Sequence, residues 1–269
     1  MQTTDEDVSP IEVLIAKLQK CRSGEVDLPS EFHKEITSST RNANGNTNAI
    51  ANADADAPNV FQIVVNFLHH QLDDEKHTEE QVKNVIDIFP QALFMLDYNS
   101  NYDADCFPIQ SAACYFASDG RSAISFIPLL AYEGSRFNAH GREVSRGGLF
   151  YEIPYGEEGE SESSVTFLVE GFDNNSNHDD RRKYDSKCTR ILKKLRNLNL
   201  LQKDDIQEHF LLAHALNVGC EQRFNYLARW DPDALRDTSF EDGKFLLHAS
   251  LEKAEPRECF GFVLKAGMQ

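Results

Sequence analysis

Asp242-Gly243-Lys244-Phe245-Leu246-Leu247-His248-Ala249 is the stretch that decides how the chain is read. Asp-Gly is a turn signal, and the apolar run behind it, closing on His and Ala, opens a helix. A second helix follows through Phe260-Gly261-Phe262-Val263-Leu264 and closes at Gly267. The same order occurs upstream: a polar stretch from Asp97 to Asp105, a helix start at Phe107-Pro108-Ile109-Gln110-Ser111-Ala112, then Phe126-Ile127-Pro128-Leu129-Leu130 before Gly134. A third correspondence precedes both copies. Phe89-Pro90-Gln91-Ala92-Leu93 matches Asp231-Pro232-Asp233-Ala234-Leu235, each behind a helix and ahead of a polar loop. Self-similarity of this kind signals a stacked helical array, in which each pair of helices is too short to bury its apolar face alone.

The loop with Asp and Gly, the helix start carrying His and Ala, and the second helix ending in Leu-Leu and Gly together resemble the ankyrin repeat. Residues 242–249 carry the likeness best, and 107–112 carry it with Gln110 where the His would stand. Phe126 to Leu130, Arg146-Gly147-Gly148-Leu149, and Leu195-Arg196 with Leu200-Leu201 through Ile206 are similar to the divergent ankyrin-like family expanded in diatom genomes. The likeness spans residues 60–269 and implies an all-α protein, an irregular ankyrin-like helical repeat array (a solenoid) with long loop insertions. It also implies a protein-binding role, with His248 bonded to neighbouring loop backbone. Helix pairs starting near 60, 108, 164, 204 and 246 are spaced more widely than the about 33 residues of a regular unit, hence the insertions.

Within the array, Thr78 and Gln81 form a capping box ahead of a helix carrying Val82, Val85, Ile86 and Phe89. Residues 134–159 read as a loop holding Gly141, Gly147, Gly148, Pro154 and Gly156, and 165–169 fits helix or strand. Residues 185–198 form an amphipathic helix with Cys188, Ile191, Leu192, Leu195 and Leu198 on one face. Another helix starts between Asp205 and Glu208 and runs through Leu216. Upstream of the array, Ser9-Pro10 with Glu12 caps a short helix in an N-terminal helical segment over 1–36. Residues 37–59, rich in Asn, Ala, Ser and Thr, hold too little apolar surface to offset ordering and read as a disordered linker.

The 269 residues fit one or two domains at about 150 residues each. A net charge of −17 repels phosphate backbones and anionic membranes, which disfavours both as partners. The start lacks the basic and apolar regions of a secretory signal, and no run approaches the roughly 20 apolar residues of a membrane span. The expected setting is intracellular, cytoplasmic or nuclear. Six cysteines without a CxxC pair read as reduced thiols.

No residue set carries a recognisable chemistry. His209 and His214 are five apart, which places them on different helix faces, and His214 falls on the apolar one. His69, His70 and His77 read as a solvated face, because adjacent histidines point about 100° apart on a helix. Cys106 and Cys114 lack a second pair at zinc spacing. Arg146-Gly147-Gly148 could cradle a phosphate but lacks GxxxxGK[ST] and reads as a glycine turn with positive φ. No cofactor, metal or catalytic residue is expected. The function implied is a protein–protein interaction module or scaffold without catalytic activity, binding an unidentified protein. Candidate contact residues are Arg136, Arg142, Arg146, Arg181, Arg182 and Lys183. The alternative is a nucleic-acid-associated regulator using the basic helix 181–196. Solvation and the acids at 157–162, 179 and 180 account for that run as readily, and no aromatic residue interleaves to stack bases.

Overall fold

Helices, most of them short, lie in succession along the chain, and local sequence explains several of their starts. The computed structural model describes residues 60–99, 104–113, 122–137, 145–155, 160–171, 178–236, 245–252 and 256–268. The expected N-terminal helical segment (1–36), the linker (37–59) and the Asp242-Gly243-Lys244 turn lie outside these. The described part is mostly helical, as expected of an all-α protein. The helices are α1 (Val60–Asn66), α2 (Glu79–Ile88), α3 (Pro108–Ala113), α4 (Ile127–Phe137), α5 (Ser164–Glu170) and α6 (His178–Asn197), then α7 (Asp205–Glu208), α8 (Leu211–Asn217), α9 (Glu221–Trp230), α10 (Leu246–Ala249) and α11 (Pro256–Gly267). A π turn, Phe67–Gln71, continues α1.

The helices pack in two parallel runs. The π turn lies against α3, α3 against α5, and α5 against α8. The partner helices do likewise: α2 against α4, α4 against α6, α6 against α9, and α9 against α11. One core runs through both sets, from Val64, Phe67 and Leu68 through Ile127, Leu130, Leu168, Leu192 and Leu195 to Phe224 and Phe262. None of the short helices could bury its apolar stripe alone, so stacking is what makes them stable.

Starts are written locally. The Thr78 hydroxyl accepts the Gln81 N–H at 3.2 Å while the Gln81 carboxamide accepts the Thr78 N–H at 2.9 Å, the capping box read from sequence. Ser163 and Thr166 repeat the device on α5, which settles 165–169 as helix. The matched segments 89–93 and 231–235 adopt matched structures. Each begins with a residue outside the helical conformation (ψ 57° at Phe89, 88° at Asp231) whose N–H bonds back to the preceding helix, Phe89 to the Val85 carbonyl at 2.9 Å and Asp231 to that of Leu227 at 2.8 Å. Each continues as a 3-10 turn, Pro90–Phe94 and Pro232–Arg236.

Three expectations change. The polar stretch 97–105 and the loop 134–159 each contain antiparallel strands: β1 (Asp97–Asn99) pairs with β2 (Ala104–Cys106), and β3 (Ile153–Tyr155) with β4 (Glu160–Glu162). β2 also lies beside β3, so the two hairpins abut. Strands of three residues are too short for alternation to declare them. Second, the helix expected from Asp205 through Leu216 is broken into α7 and α8, because Phe210 takes the left-handed conformation (φ 48°, ψ 35°). Third, His248 is exposed, with Phe245 its neighbouring ring at 6.1 Å, where a loop-bonded histidine was expected.

Arg223 is the most demanding buried group. It is fully buried on α9, and its Nε donates to Asp185 of α6 at 2.9 Å. Its Nη1 reaches the carbonyls of Leu168, Val169 and Gly171 at the end of α5, at 3.0, 2.6 and 3.2 Å, and Nη2 meets the Cys220 sulfur. Asp185 in turn accepts the first N–H groups of α9, from Gln222 at 2.9 Å and Arg223 at 3.2 Å. One ion pair therefore caps the end of α5 and the start of α9. Arg223→Ala strands a buried carboxylate and is expected to lower the unfolding free energy by about 3–5 kcal/mol. Urea denaturation checks this: adding Asp185→Asn, which keeps the cap without the charge, should recover part of the loss, and equal midpoints for wild type and Arg223→Ala would refute the role.

Candidate interaction surfaces

The six arginines and lysines expected to meet a partner fall into three settings. Arg142 lies outside the described residues. Arg136 ends α4, half exposed, and donates to the buried Glu133 at 2.9 Å while standing 3.7 Å from Asp87. Arg146 is spent internally: it pairs with the buried Asp205, reaches the Leu200 carbonyl at 3.5 Å, and lies over the Phe150 ring at 4.8 Å. Arg181, Arg182 and Lys183 begin the solvent side of α6, Arg182 and Lys183 exposed.

The Arg146 turn is where the backbone is most distorted. Gly147 and Gly148 have φ of 66° and 88°, as a glycine turn requires, and Arg146 itself has φ 50°. A Cβ on Gly147 would stand 2.1 Å from the Ala131 carbonyl oxygen, so only glycine lets α4 and this turn meet. Among the described residues, the other two non-glycine positions with positive φ, Asn199 and Phe210, flank the segment Arg146 grips. Each such conformation costs on the order of 1–3 kcal/mol and persists because its surroundings fix it. Here the fixing groups are the Arg146–Asp205 pair, the Asp205 carboxylate accepting the Gln202 N–H at 2.6 Å, and His209 stacked on Phe150 at 4.6 Å. Asp205, Glu208 and His209 present their ligand atoms within 4.8 Å of one another. The guanidinium on Asp205 already supplies the positive charge a cation would bring, so the cluster is a structural tie.

Buried polar groups between successive helices are likewise paired. His69, expected on a solvated face, is buried where the π turn meets α3. It bonds the Ser111 hydroxyl at 3.1 Å and the Met95 carbonyl at 3.2 Å. The π turn rotates it inward while His70 stays out, bonded to Asp97 at 3.1 Å. Burial holds the His69 pKa down to about 4, outweighing the nearby Asp97 and the Met95 carbonyl bond, with His70 adding to the depression. Gln110, fully buried, accepts the Phe107 N–H at 2.8 Å and donates to the Tyr151 carbonyl of the next unit at 2.8 Å. His214, on the apolar face as read from sequence, pairs with Glu170 at 2.5 Å, joining α8 to α5. Burial pushes Cys188 up to about 11 and Cys220 to about 12, so both are inert thiols.

Two surfaces remain open. One is a series of aromatics, each on the segment leading into a helix of the α3–α5–α8 run or into α10: Tyr98 (53% exposed), Tyr151 (43%), Phe210 (41%) and Phe245 (52%). Tyr151 meets Phe107 edge-on at 5.0 Å. The other is the outward side of α6. Between Arg181 and Arg196 the one acid is Asp185, and it is turned inward to Arg223. Lys187 pairs with Asp74 and Lys194 with Glu79. Lys193 stands 5.7 Å from the Tyr226 ring centre, and Arg196 lies 4.5 Å over Trp230, both rings on α9. Those aromatics lie thirty or more positions downstream of the basic run, so only the α6–α9 packing reveals them.

No family model, no curated protein and no solved structure matches the chain. Among the described residues no helix is long and apolar enough to cross a membrane.

The pH dependence of His69 follows from its surroundings. Its folded pKa lies below the unfolded value of 6.5, so the unfolded chain binds the extra proton first. The contribution of the neutral ring is fully present above pH 6.5 and is lost as pH falls toward 4, roughly 3 kcal/mol in all. His69→Gln should flatten the stability profile between those limits in urea unfolding at stepped pH. A profile unchanged by the substitution would refute the assignment.

Proposed function

We propose that the chain is a non-catalytic protein-interaction module, an ankyrin-like array of helix pairs. What carries the reading is the set Tyr98, Tyr151, Phe210 and Phe245, one exposed aromatic on the segment ahead of each of four successive helix pairs. A single exposed aromatic is ordinary on a soluble protein. Four of them, each on a segment that leads into a helix pair, suit a bound protein, since aromatic side chains dominate the binding energy of interfaces at low entropic cost. The two parallel runs of helix packing support the array. So do the equivalent 3-10 turns at 90–94 and 232–236 and the N3 caps Gln110 and Thr166. The buried polar clusters support a non-catalytic role: Arg146–Asp205, Arg223–Asp185 and His69 are saturated by structural bonds, and Cys188 and Cys220 are held far from reactivity.

The experiment is capture of partners from a lysate of the source cells on immobilised full-length chain, with nuclease and added salt in parallel arms. The Tyr98→Ser/Tyr151→Ser chain serves as control, its fold checked by far-UV circular dichroism. A nuclease-resistant protein held by the wild type and lost by the double variant is the expected result. Equal capture by both chains would remove the aromatic edge as the contact surface. Loss of all capture on nuclease treatment would replace the reading with nucleic-acid association.

A further inference from the structure

We infer that the outward face of α6 is a second docking surface, and that its ligand is an acidic peptide segment that sets carboxylates along Arg182, Arg190, Lys193 and Arg196. This deepens the interaction reading by adding a surface apart from the aromatic edge.

The four side chains are exposed and lie on one side of a continuous 20-residue helix, spanning about 21 Å at 1.5 Å per residue. Among the described residues no carboxylate pairs with any of them. The described acids that approach this helix are committed elsewhere. Asp185 is buried under Arg223, Asp74 holds Lys187, Glu79 holds Lys194, and Glu133 holds Arg136 and Lys83. On α9 the one acidic residue is Glu221, in the first turn and far from the Lys193–Arg196 end. On a chain of net charge −17, these four cations have no carboxylate partner among the described residues.

Two observations favour a carboxylate peptide over a nucleic acid. Tyr226 and Trp230 lie beneath Lys193 and Arg196, so the ring faces that would stack bases are covered by cations. Those rings instead hold the two cations out along the face, which lowers the entropy lost when a partner binds. The second is range. Charges are screened beyond about 8 Å at physiological salt, so a short peptide on α6 feels the strip alone. A polyanion extending past it meets the acidic remainder of the surface. Charges three residues apart on one helix (Arg190 to Lys193, Lys193 to Arg196) suit an acidic helix or extended segment.

Trp230 is the single tryptophan of the chain, so its fluorescence reports on this face directly. The experiment titrates the full-length protein with a short synthetic peptide bearing glutamates at three- and four-residue spacing and lacking aromatic residues. Its glutamine counterpart and a single-stranded oligonucleotide of similar length are titrated in parallel. A saturable Trp230 change with the glutamate peptide, weakened by salt and absent with the glutamine peptide, is expected. Arg190→Glu/Lys193→Glu should weaken binding at least about tenfold, while the charge-keeping Arg190→Lys/Lys193→Arg chain binds as the wild type does. No saturable change, equal binding by the charge-reversed chain, or tighter binding of the oligonucleotide would each overturn the proposal. Loss of peptide binding with intact capture at the Tyr98–Tyr151 edge would leave the aromatic surface standing, and the reverse pattern would leave this one.

Discussion

The Arg223–Asp185 pair is the interaction on which the packing of the second half depends. Three helices, α5, α6 and α9, meet where no water is available to satisfy their ends. The α5 carbonyls at its last turn point into that junction, as do the first N–H groups of α9. Left alone, each such group costs on the order of 1–3 kcal/mol. A guanidinium with its fixed fork of donors reaches three carbonyls and a carboxylate at once, and the carboxylate uses its remaining lone pairs on the α9 amides. A lysine has the charge but not the fork, and an apolar residue would leave three backbone carbonyls and the Asp185 carboxylate without their donor. The burial of Arg223 is therefore the condition for α5 to be as short as seven residues and still end inside the molecule.

The same logic governs the other junctions with weaker groups. Where the π turn meets α3, His69 bridges a hydroxyl and a carbonyl; where α3 meets the next hairpin, Gln110 does so; where α5 meets α8, Glu170 and His214 do so. The apolar core supplies the driving force at every layer, but it is non-directional. The polar bridges fix which turn of one helix faces which turn of the next. The Arg146 turn adds a steric condition. Gly147 lies against Ala131, and any side chain there would push the turn off α4.

Much of this was legible in the sequence, because it is written locally. The Thr78–Gln81 box, the apolar stripe of α6, and the equivalence of 89–93 with 231–235 need only neighbours three or four positions apart. What sequence reading missed depends on distant neighbours. His69 was placed outside because adjacency to His70 says nothing of a π turn, which shifts the helix phase by one residue. Phe210 breaks its helix although phenylalanine has no preference for φ above zero; the contacts of His209 and Asp205 impose it. The hairpins escaped notice because β1 to β4 are three residues each. Of the candidate contact residues, Arg146 has the composition of a phosphate loop, and only the position of Asp205 shows that its charge is used within the fold.

The basic helix shows why the sign of a whole chain and the sign of a surface must be argued separately. Composition alone disfavours any anionic partner, since acidic residues outnumber basic ones by 44 to 27. Yet the fold sorts those charges. It draws Asp185 inward to neutralise Arg223 and spends Asp74 and Glu79 on the flank of α6. It then sets Tyr226 and Trp230 under the cations that remain. A strip of uncompensated charge inside an acidic field discriminates by size as well as sign. Compact or short anions reach it, and long ones meet repulsion on either side. That selectivity arises from the placement of α6 between α4 and α9, so it exists only in the folded protein.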